Sequence, residues 1–409
     1  MSAWWSVSLY RFYRDHSIYW LLGTGYWVLF FPLYFYYDVP MNQPPLFHFA
    51  ESYNDADQFY LSGFLCGDPF AVLEINRRKV VLGVSPMEEG RAKLETSGKM
   101  VVPLHRKKGK TLNQVLAGLI RDHGAERVRV PPSFPIGLAQ ELKGEGIGIE
   151  INGRTLSERR RAKTLKQIRA IEQAQRSCER IFTMVRSLLA GCPVKGDILF
   201  HEGRPLTAQK VRSMIEVLFL ENGFETADTI FAPGRGGADP HWRGEGPIPT
   251  GVPIVMDVFP RSRQSRYHSD MSRTFVVGRA TKVVREMHAA VVEAQDAALD
   301  RLKNGVALSD VHKAVCDLFK KRGYPVPGDG KFPRRGFLHG TGHGLGLQIH
   351  EAPSVSVTAD ILQPGDVVTI EPGLYDRRVG GMRIEDVVAC MPDGTVRNLT
   401  RFDRDLEIL

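Results

Sequence analysis

A chain of 409 residues is longer than one hydrophobic core usually supports, so we expect two domains. Its 43% hydrophobic and 24% charged residues are typical of a folded globular protein, and its five scattered cysteines exclude a disulfide framework and a CxxC zinc site, which favours a reducing, cytosolic compartment. The formal net charge of +8 includes basic runs at residues 77–79, 105–110 and 158–163 that have no interleaved aromatics. We therefore expect solvated surface there, and neither a nucleic-acid nor an anionic-lipid partner.

The first 40 residues differ from the rest of the chain. Residues 17–37 carry no charge, which is long enough for a membrane-span candidate, but Pro32 and tyrosines spread along the whole segment argue against one. No small-residue cleavage site follows a short apolar core, so a secretory signal is disfavoured. We favour a third interpretation, in which Met41 is the start of the protein and the chain is cytoplasmic. A membrane-anchored protein remains the alternative if residues 17–37 are a genuine anchor.

Residues 41–155 have the pattern of a small α/β domain. Short apolar runs alternate with turns from Leu46 to Pro103, and a helical pattern follows from Thr111 to Gly124. The last apolar run of this segment ends near Ile151. The polar stretch NGRTLSERRRAK that follows predicts a linker leading into a helix.

Residues 156–409 have the pattern of an internal duplication. Thr164 and Gln167 form a capping box, and apolar residues follow at helical spacing from Leu165 to Leu188. A second predicted helix ends at Gly223 and strand-like runs come next. The order of helix, helix and strands is then repeated, starting with a predicted helix over residues 281–304.

Acidic residues lie within the apolar strands of both halves. Asp257 and Asp270 belong to the first half, and Glu371 and Glu385 occur at nearly the same offsets in the second. A single acid of this kind usually caps a turn. Burying several is costly unless they are paired or bound to a metal, so we expect these four carboxylates to converge on one pseudo-twofold axis.

The segment HGTGHGLGLQIHE, residues 339–351, adds three histidines among four glycines. The glycines argue against a helix and let the backbone pass close to a metal or substrate. A lone histidine is usually a hydrogen-bonded core or surface residue. Four carboxylates together with imidazoles instead suit a pair of divalent cations that share bridging oxygens.

Together with SDMSRTF, TIEPGLY and GMRIED, these segments resemble the M24 metallopeptidases of the Xaa-Pro branch. The resemblance implies an α/β two-domain chain with a creatinase-like N-terminal domain and a pita-bread catalytic domain. It implies five metal ligands: Asp257, Asp270, His343, Glu371 and Glu385. It assigns catalytic roles to Glu371, His241 and His350, and substrate contacts to His339 and Arg383.

The activity implied is hydrolysis of Xaa-Pro bonds at peptide N-termini, as in aminopeptidase P. The cofactor implied is a pair of divalent ions, of which manganese fits best and cobalt or zinc could substitute. Alternatives are a prolidase acting on dipeptides, a hydrolase of a non-peptide amide, and a binding protein on the same fold. Retention of all five ligand positions argues against the last. The resemblance also implies a homodimer.

The interval from Asp257 to Asp270 is two residues longer than usual in the family, which we expect a longer hairpin to absorb.

Overall fold

The computed structural model describes residues 10–14, 17–21, 43–105, 109–152, 155–328 and 335–409. The chain divides into two compact units, Met1–Gln43 and Pro44–Leu409. In the first unit, two short strands pair antiparallel, with Tyr10 opposite Leu21. The rest of the membrane-span candidate, beyond Leu21, lies outside the described residues, and none of the helices described is long and apolar enough to cross a membrane.

The helices follow one another along the second unit. They are α1 (Ala56–Ser62), α2 (Glu89–Glu95), α3 (Leu112–Asp122), α4 (Ile136–Gly144), α5 (Thr155–Arg161), α6 (Leu165–Gly191), α7 (Ala208–Glu221), α8 (Lys282–Leu299) and α9 (Leu308–Lys321). A 3-10 helix spans Gly234–Ala238.

The strands of the two units are short. They are β1 (Tyr10–Arg14), β2 (Ser17–Leu21), β3 (Leu46–Ala50), β4 (Phe70–Asn76), β5 (Lys79–Val84), β6 (Met100–Pro103), β7 (Arg127–Val130), β8 (Gly148–Ile151), β9 (Val194–Lys195), β10 (Ile198–His201), β11 (Arg204–Pro205), β12 (Phe224–Glu225), β13 (Ile230–Pro233), β14 (Ile254–Val258), β15 (Arg261–Ser262), β16 (Met271–Val277), β17 (Gly342–Gly344), β18 (Glu351–Val355), β19 (Val367–Ile370), β20 (Gly373–Asp376), β21 (Gly380–Arg383), β22 (Asp386–Cys390), β23 (Val396–Asn398) and β24 (Glu407–Ile408).

The N-terminal region, residues 44–152, is built on one mixed six-stranded sheet. Its strand order is β6, β5, β4, β3, β7, β8; the central pairs β3 with β4 and β4 with β5 are antiparallel, and the outer pairs are parallel. Leu116 and Ile120 of α3 are buried against Phe47 and Val81 of this sheet. The predicted α/β pattern and the predicted helix near residues 111–124 are therefore confirmed. The boundary near residue 155 stays a prediction.

The rest of the chain repeats one arrangement. Helices α6 and α7 precede the antiparallel strands β13, β14 and β16, and helices α8 and α9 precede the antiparallel strands β17, β19 and β22. Each half has its own hydrophobic core, in which its two helices cover its own strands. The predicted order of helix, helix and strands in each half is confirmed, and it places the ends of corresponding strands in corresponding positions.

Helix α6 begins as predicted. The side chain of Thr164 caps the backbone at Gln167, whose side chain accepts in return from the Thr164 backbone N–H. Its apolar face, including Ile171 and Cys178, is buried. Leu165, predicted on the same face, is instead 47% exposed, because it lies in the first turn beyond the covered surface.

The basic run at residues 158–163 is not solvated surface, and the prediction that it would be is wrong. The side chains of Arg159, Arg160 and Arg161 in α5 are 17%, 6% and 15% exposed, and each pairs with a carboxylate of another element. Sequence alone does not distinguish a solvated run of charge from one whose residues point to separate buried partners.

The longer interval between Asp257 and Asp270 is absorbed by a hairpin. Strands β14 and β16 keep a regular register, with Val258 opposite Met271. Between them, Arg261 and Arg266 donate to the backbone oxygen of Tyr53 at 3.0 and 2.8 Å. The additional residues therefore pack against the N-terminal region without disturbing the ladder.

The core of the first half generates a stability prediction. Phe182 of α6 is fully buried, and its ring lies 6.2 Å from that of Phe275 and 5.6 Å from that of Phe402. We expect Phe182→Ala to lower the free energy of unfolding by about 3–5 kcal/mol, because the cavity cannot be refilled by these rigid rings. Urea unfolding monitored by circular dichroism measures it. The matched control is Met184→Ala on the exposed face of α6, and an equal cost in the two variants would contradict this account of the core.

Candidate metal centre

The four predicted acids lie at strand ends, two from each half. Asp257 is in β14, Asp270 directly precedes β16, Glu371 directly follows β19 and Glu385 directly precedes β22. Strands β14 and β16 pair antiparallel, as do β19 and β22. In each half, therefore, the end of one strand lies next to the start of its neighbour. The two pairs meet where the Glu385 backbone N–H donates to the Ser272 oxygen at 3.0 Å.

Three side chains form a compact group between the halves. Ligand atoms of Asp270, His343 and Glu385 lie within 4.8 Å of one another. The Nε2 atom of His343 is 3.5 Å from Asp270 Oδ2 and 3.4 Å from Glu371 Oε1. Ser272 Oγ donates to Glu385 Oε2 at 3.0 Å. The strand acids and the central histidine of the glycine-rich segment are thus brought together.

The electrostatics of this group oppose its ionisation. Burial and the nearby carboxylates raise the pKa of Asp270 and of Glu385 well above their usual values. Burial also raises the pKa of Glu371. Carboxylates at such distances repel one another, so the charged forms need a compensating positive charge.

The group fits divalent cations on its own chemistry. The Oδ1 atoms of Asp257 and Asp270 are buried and have no hydrogen-bond partner among the described residues. The Nδ1–H of His343 donates to the Gly344 oxygen at 3.2 Å, which leaves the Nε2 lone pair directed at the acids. Burial lowers the pKa of His343, which favours the neutral ring that binds metals. Carboxylate oxygens and one imidazole are a donor set for manganese, cobalt or zinc.

Arg383 links the centre to its surroundings. It is 3% exposed, and it donates from Nη2 to Asp257 at 2.6 Å, from Nε to Ser272 at 2.9 Å and from Nη1 to the Tyr375 hydroxyl at 2.8 Å. Burial disfavours the cation, but Tyr375 and the nearby carboxylates raise the pKa of Arg383. The guanidinium thus orients Asp257 as a buried cation, and its expected contact with substrate stays a prediction.

His339 is engaged by the protein at both nitrogens. Its Nδ1–H donates to the Gly340 oxygen at 2.8 Å, and its Nε2 lies 2.9 Å from the Tyr375 hydroxyl, which donates to it. The expected contact of His339 with substrate also stays a prediction. Tyr375 was not assigned a role from sequence, although it belongs to the quoted segment TIEPGLY. Its contacts with His339 and Arg383 depend on the β20 to β21 hairpin, which no local pattern specifies.

His350 and His241 lie at the exposed edge of the centre. The His350 ring is solvent-accessible and packs edge to face on the His343 ring, with centroids 4.3 Å apart. His241 is also exposed and borders an open cleft of about 480 Å³ with Arg212, Trp242 and others. Burial is the main cause that lowers the pKa of His350, and the charges of His343 and His241 add to it. Both histidines are therefore available to a bound molecule.

The glycines of residues 340–346 serve strand packing. A Cβ atom on Gly342 would lie 1.9 Å from the Thr369 oxygen, and one on Gly344 would lie 2.5 Å from the Ala352 oxygen. These are contacts with the neighbouring strands. The expectation that the glycines let the backbone approach a metal or substrate stays a prediction, and the structure adds close approach to neighbouring backbone. The predicted absence of a helix here is confirmed, since β17 spans Gly342–Gly344.

Comparisons with known proteins agree with this geometry. Residues 169–392, more than half of the chain, match the metallopeptidase family M24. The chain is 36% identical to an Xaa-Pro dipeptidase of Pyrococcus furiosus over 202 residues, which cover 48% of this chain and 55% of that protein. It is 30% identical to an Xaa-Pro dipeptidase of Pyrococcus horikoshii over 356 residues, which cover 85% of this chain and 91% of that protein.

A solved structure has the same architecture. The prolidase from Pyrococcus furiosus superposes with a TM-score of 0.71 at 25% identity, over 88% of this chain and 97% of that one. The α/β fold with duplicated catalytic halves is therefore that of the pita-bread peptidases. With Asp270, His343 and Glu385 meeting between its two halves, the chain belongs to the M24 metallopeptidases.

Proposed function

We propose that this metallopeptidase is an Xaa-Pro dipeptidase, cleaving the bond before proline in dipeptides. Proteins named Xaa-Pro dipeptidase that resemble the chain at 30% and 36% identity support the dipeptidase over the aminopeptidase P expected from sequence. The observation that carries its metal-dependent chemistry is the meeting of Asp270, His343 and Glu385 between the halves.

Five residues would hold two divalent cations: Asp257, Asp270, His343, Glu371 and Glu385. In this assignment Asp270 and Glu385, one from each half, would be ligands shared by the two cations. Bound cations would supply Lewis-acid activation of water and of the scissile carbonyl. Manganese is the proposed ion because four carboxylates and one imidazole form an oxygen-rich site.

Glu371 would act as the general base. Its Oε1 atom lies 3.4 Å from the Thr369 hydroxyl, which donates to it, and 3.4 Å from His343 Nε2. Its place beside Thr369 and His343 puts this carboxylate where it can accept a proton. It would take the proton of the attacking water and pass it to the leaving nitrogen of proline.

His350 and His241 would stabilise the tetrahedral species. Both rings are exposed at the edge of the centre, so each can donate an N–H to the developing oxyanion or to the carboxylate of a bound dipeptide. The bond before proline is a tertiary amide without an N–H, so recognition must rely on the shape of the ring and on the ends of the substrate.

Hydrolysis of matched peptides tests the substrate class. After chelation and addition of Mn²⁺, we expect metal-dependent cleavage of an Xaa-Pro dipeptide and little cleavage of an Xaa-Pro-Yaa tripeptide or of Met-Ala-Yaa. Preferential cleavage of the tripeptide would instead establish an aminopeptidase P. Two bound metals per chain with no cleavage of any of these peptides would direct the search to other amides.

The metal assignment predicts the effect of removing the two shared acids. We expect Asp270→Ala and Glu385→Ala each to lose one or both metals, measured by elemental analysis, and to lose hydrolysis, because neither ion keeps its full set of ligands. The control is Asp376→Ala, since Asp376 lies on the nearby β20 but pairs with Arg378. Full metal content in both Asp270 and Glu385 variants would disprove the assigned site.

The proposed role of His350 predicts a loss of activity without a loss of metal. We expect His350→Ala to keep its metal and to lower kcat by about 100-fold, in the range seen when one oxyanion donor is removed. Steady-state kinetics with elemental analysis of the same sample measure both quantities. Unchanged kcat in this variant would exclude His350 from the reaction.

A further inference from the structure

The three consecutive arginines of α5 point to three different partners. Arg159 makes a bidentate pair with Glu74 of β4, with distances of 2.8 and 3.0 Å. Arg161 makes a bidentate pair with Asp366, at 2.9 and 2.8 Å. Arg160, between them, is directed at the segment that carries His350. One short helix thus contacts both the N-terminal region and the catalytic strands.

The His350 loop, defined as residues 345–350, connects β17 to β18. Arg160 Nη2 donates to Gln348 Oε1 at 2.5 Å, and Arg160 Nε lies 3.9 Å from Glu351 Oε2. Gln348 and Glu351 flank His350 on either side. Arg160 therefore contacts the loop just before the histidine and the first residue of β18 just after it.

The same guanidinium reaches back into the N-terminal region. Its Nε lies 3.4 Å from Asp57 Oδ1 of α1, and the Arg160 side chain is only 6% exposed. Burial raises the pKa of Asp57, and the adjacent Arg160 cation acts in the opposite direction. A buried guanidinium between two acids is costly to disturb, because losing either partner leaves a charge uncompensated.

A second buried cation, Lys163, also pairs with Glu351. Lys163 Nζ lies 2.8 Å from Glu351 Oε1, and these side chains are 1% and 2% exposed. A Cβ on Gly346 would be 2.3 Å from Glu351 Oε1 and 2.8 Å from Lys163 Cε. A larger residue at 346 would therefore displace the ends of these two side chains. The Gly346 oxygen also accepts from the His268 backbone N–H at 2.8 Å.

We propose that Arg160 is a positioning residue for His350, joining Asp57 of the N-terminal region to Gln348 and Glu351 on the two sides of the histidine. Arg160 does not touch the metal centre or the substrate. It acts by fixing the loop from which the His350 ring reaches the reacting carbonyl. The inference rests on the proposed role of His350 in hydrolysis.

The kinetic test is a double-mutant cycle on the metal-loaded full chain. We expect Arg160→Gln to lower kcat roughly 10-fold or more, the usual cost of losing an orienting partner, with unchanged metal content and little change in KM. In the His350→Ala background the same substitution is expected to change kcat less than about 2-fold, because there is no longer a histidine to position. Equal losses in both backgrounds, or full kcat in folded Arg160→Gln, would overturn the proposal.

Matched controls lie on either side in the same helix. Arg159→Gln and Arg161→Gln each remove a buried ion pair of α5 without touching the His350 loop, so we expect lower thermal stability and retained kcat. Gln348→Ala provides a milder second variant, since Gln348 is exposed and its loss removes one contact with Arg160. We expect Gln348→Ala to lower kcat while thermal stability stays unchanged. Full kcat in Gln348→Ala, or a kcat loss in Arg161→Gln as large as in Arg160→Gln, would contradict a specific role.

Hydrogen–deuterium exchange separates this proposal from the proposed function. We expect faster amide exchange in residues 345–350 in Arg160→Gln and wild-type exchange there in Arg161→Gln, since the loop amides lose their support only in the first. This result does not depend on the substrate. If the wild type cleaves no Xaa-Pro peptide, the proposed function fails while the exchange experiment still decides the role of Arg160. Unchanged exchange in Arg160→Gln would overturn it.

Discussion

The repulsion among buried carboxylates is the constraint on which the rest of this structure depends. Asp270 and Glu385 come from different halves and are almost fully buried side by side, with Glu371 and Asp257 close by. Such a group is unfavourable without compensating charge. Divalent cations provide that charge in the proposed site, so the feature that opposes folding of the bare chain is the one that gives the protein its chemistry. The duplication accounts for the convergence of acids from both halves, because equivalent strand ends meet between the halves.

Buried arginines hold this arrangement in place. Arg383 orients Asp257 and bonds to Ser272, which in turn donates to Glu385. Arg273, 1% exposed, donates to the Glu385 backbone oxygen at 2.7 Å and pairs with Asp386 at 2.8 Å. These guanidiniums bind several acceptors at once through five donors held in a rigid planar fork. The positions of the acids are therefore determined by the hydrogen-bond donors Arg383, Ser272 and Arg273 as much as by the strands that carry the acids.

The N-terminal region also takes part in buried pairs between arginines and acids, at a greater distance from the metal centre. Arg159, Arg160 and Arg161 of α5 each pair with a different acid. Arg160 also contacts residues on both sides of His350. A region that carries none of the predicted metal ligands thereby contributes to the order of the catalytic edge. The hairpin between β14 and β16 adds a second connection through Arg261, Arg266 and the Tyr53 oxygen. The described contacts between the N-terminal region and the rest of the chain thus include buried ion pairs beside an apolar cluster around Ala56, Leu345 and Leu347.

The sequence by itself determined the longer helices, the duplicated order of elements and the acids of the centre, but not the short helices α1, α2 and α4. Those features depend on local periodicity, as in the capping box at Thr164, or on acids too costly to bury without a cation, as in Asp270 and Glu385. Only the tertiary structure decided the surroundings: Tyr375 against His339, the burial of the arginines in α5, and the close approach of Gly342 to Thr369. These contacts join residues far apart in the chain. A side chain's sequence neighbours do not specify which distant acid, hydroxyl or carbonyl it will meet.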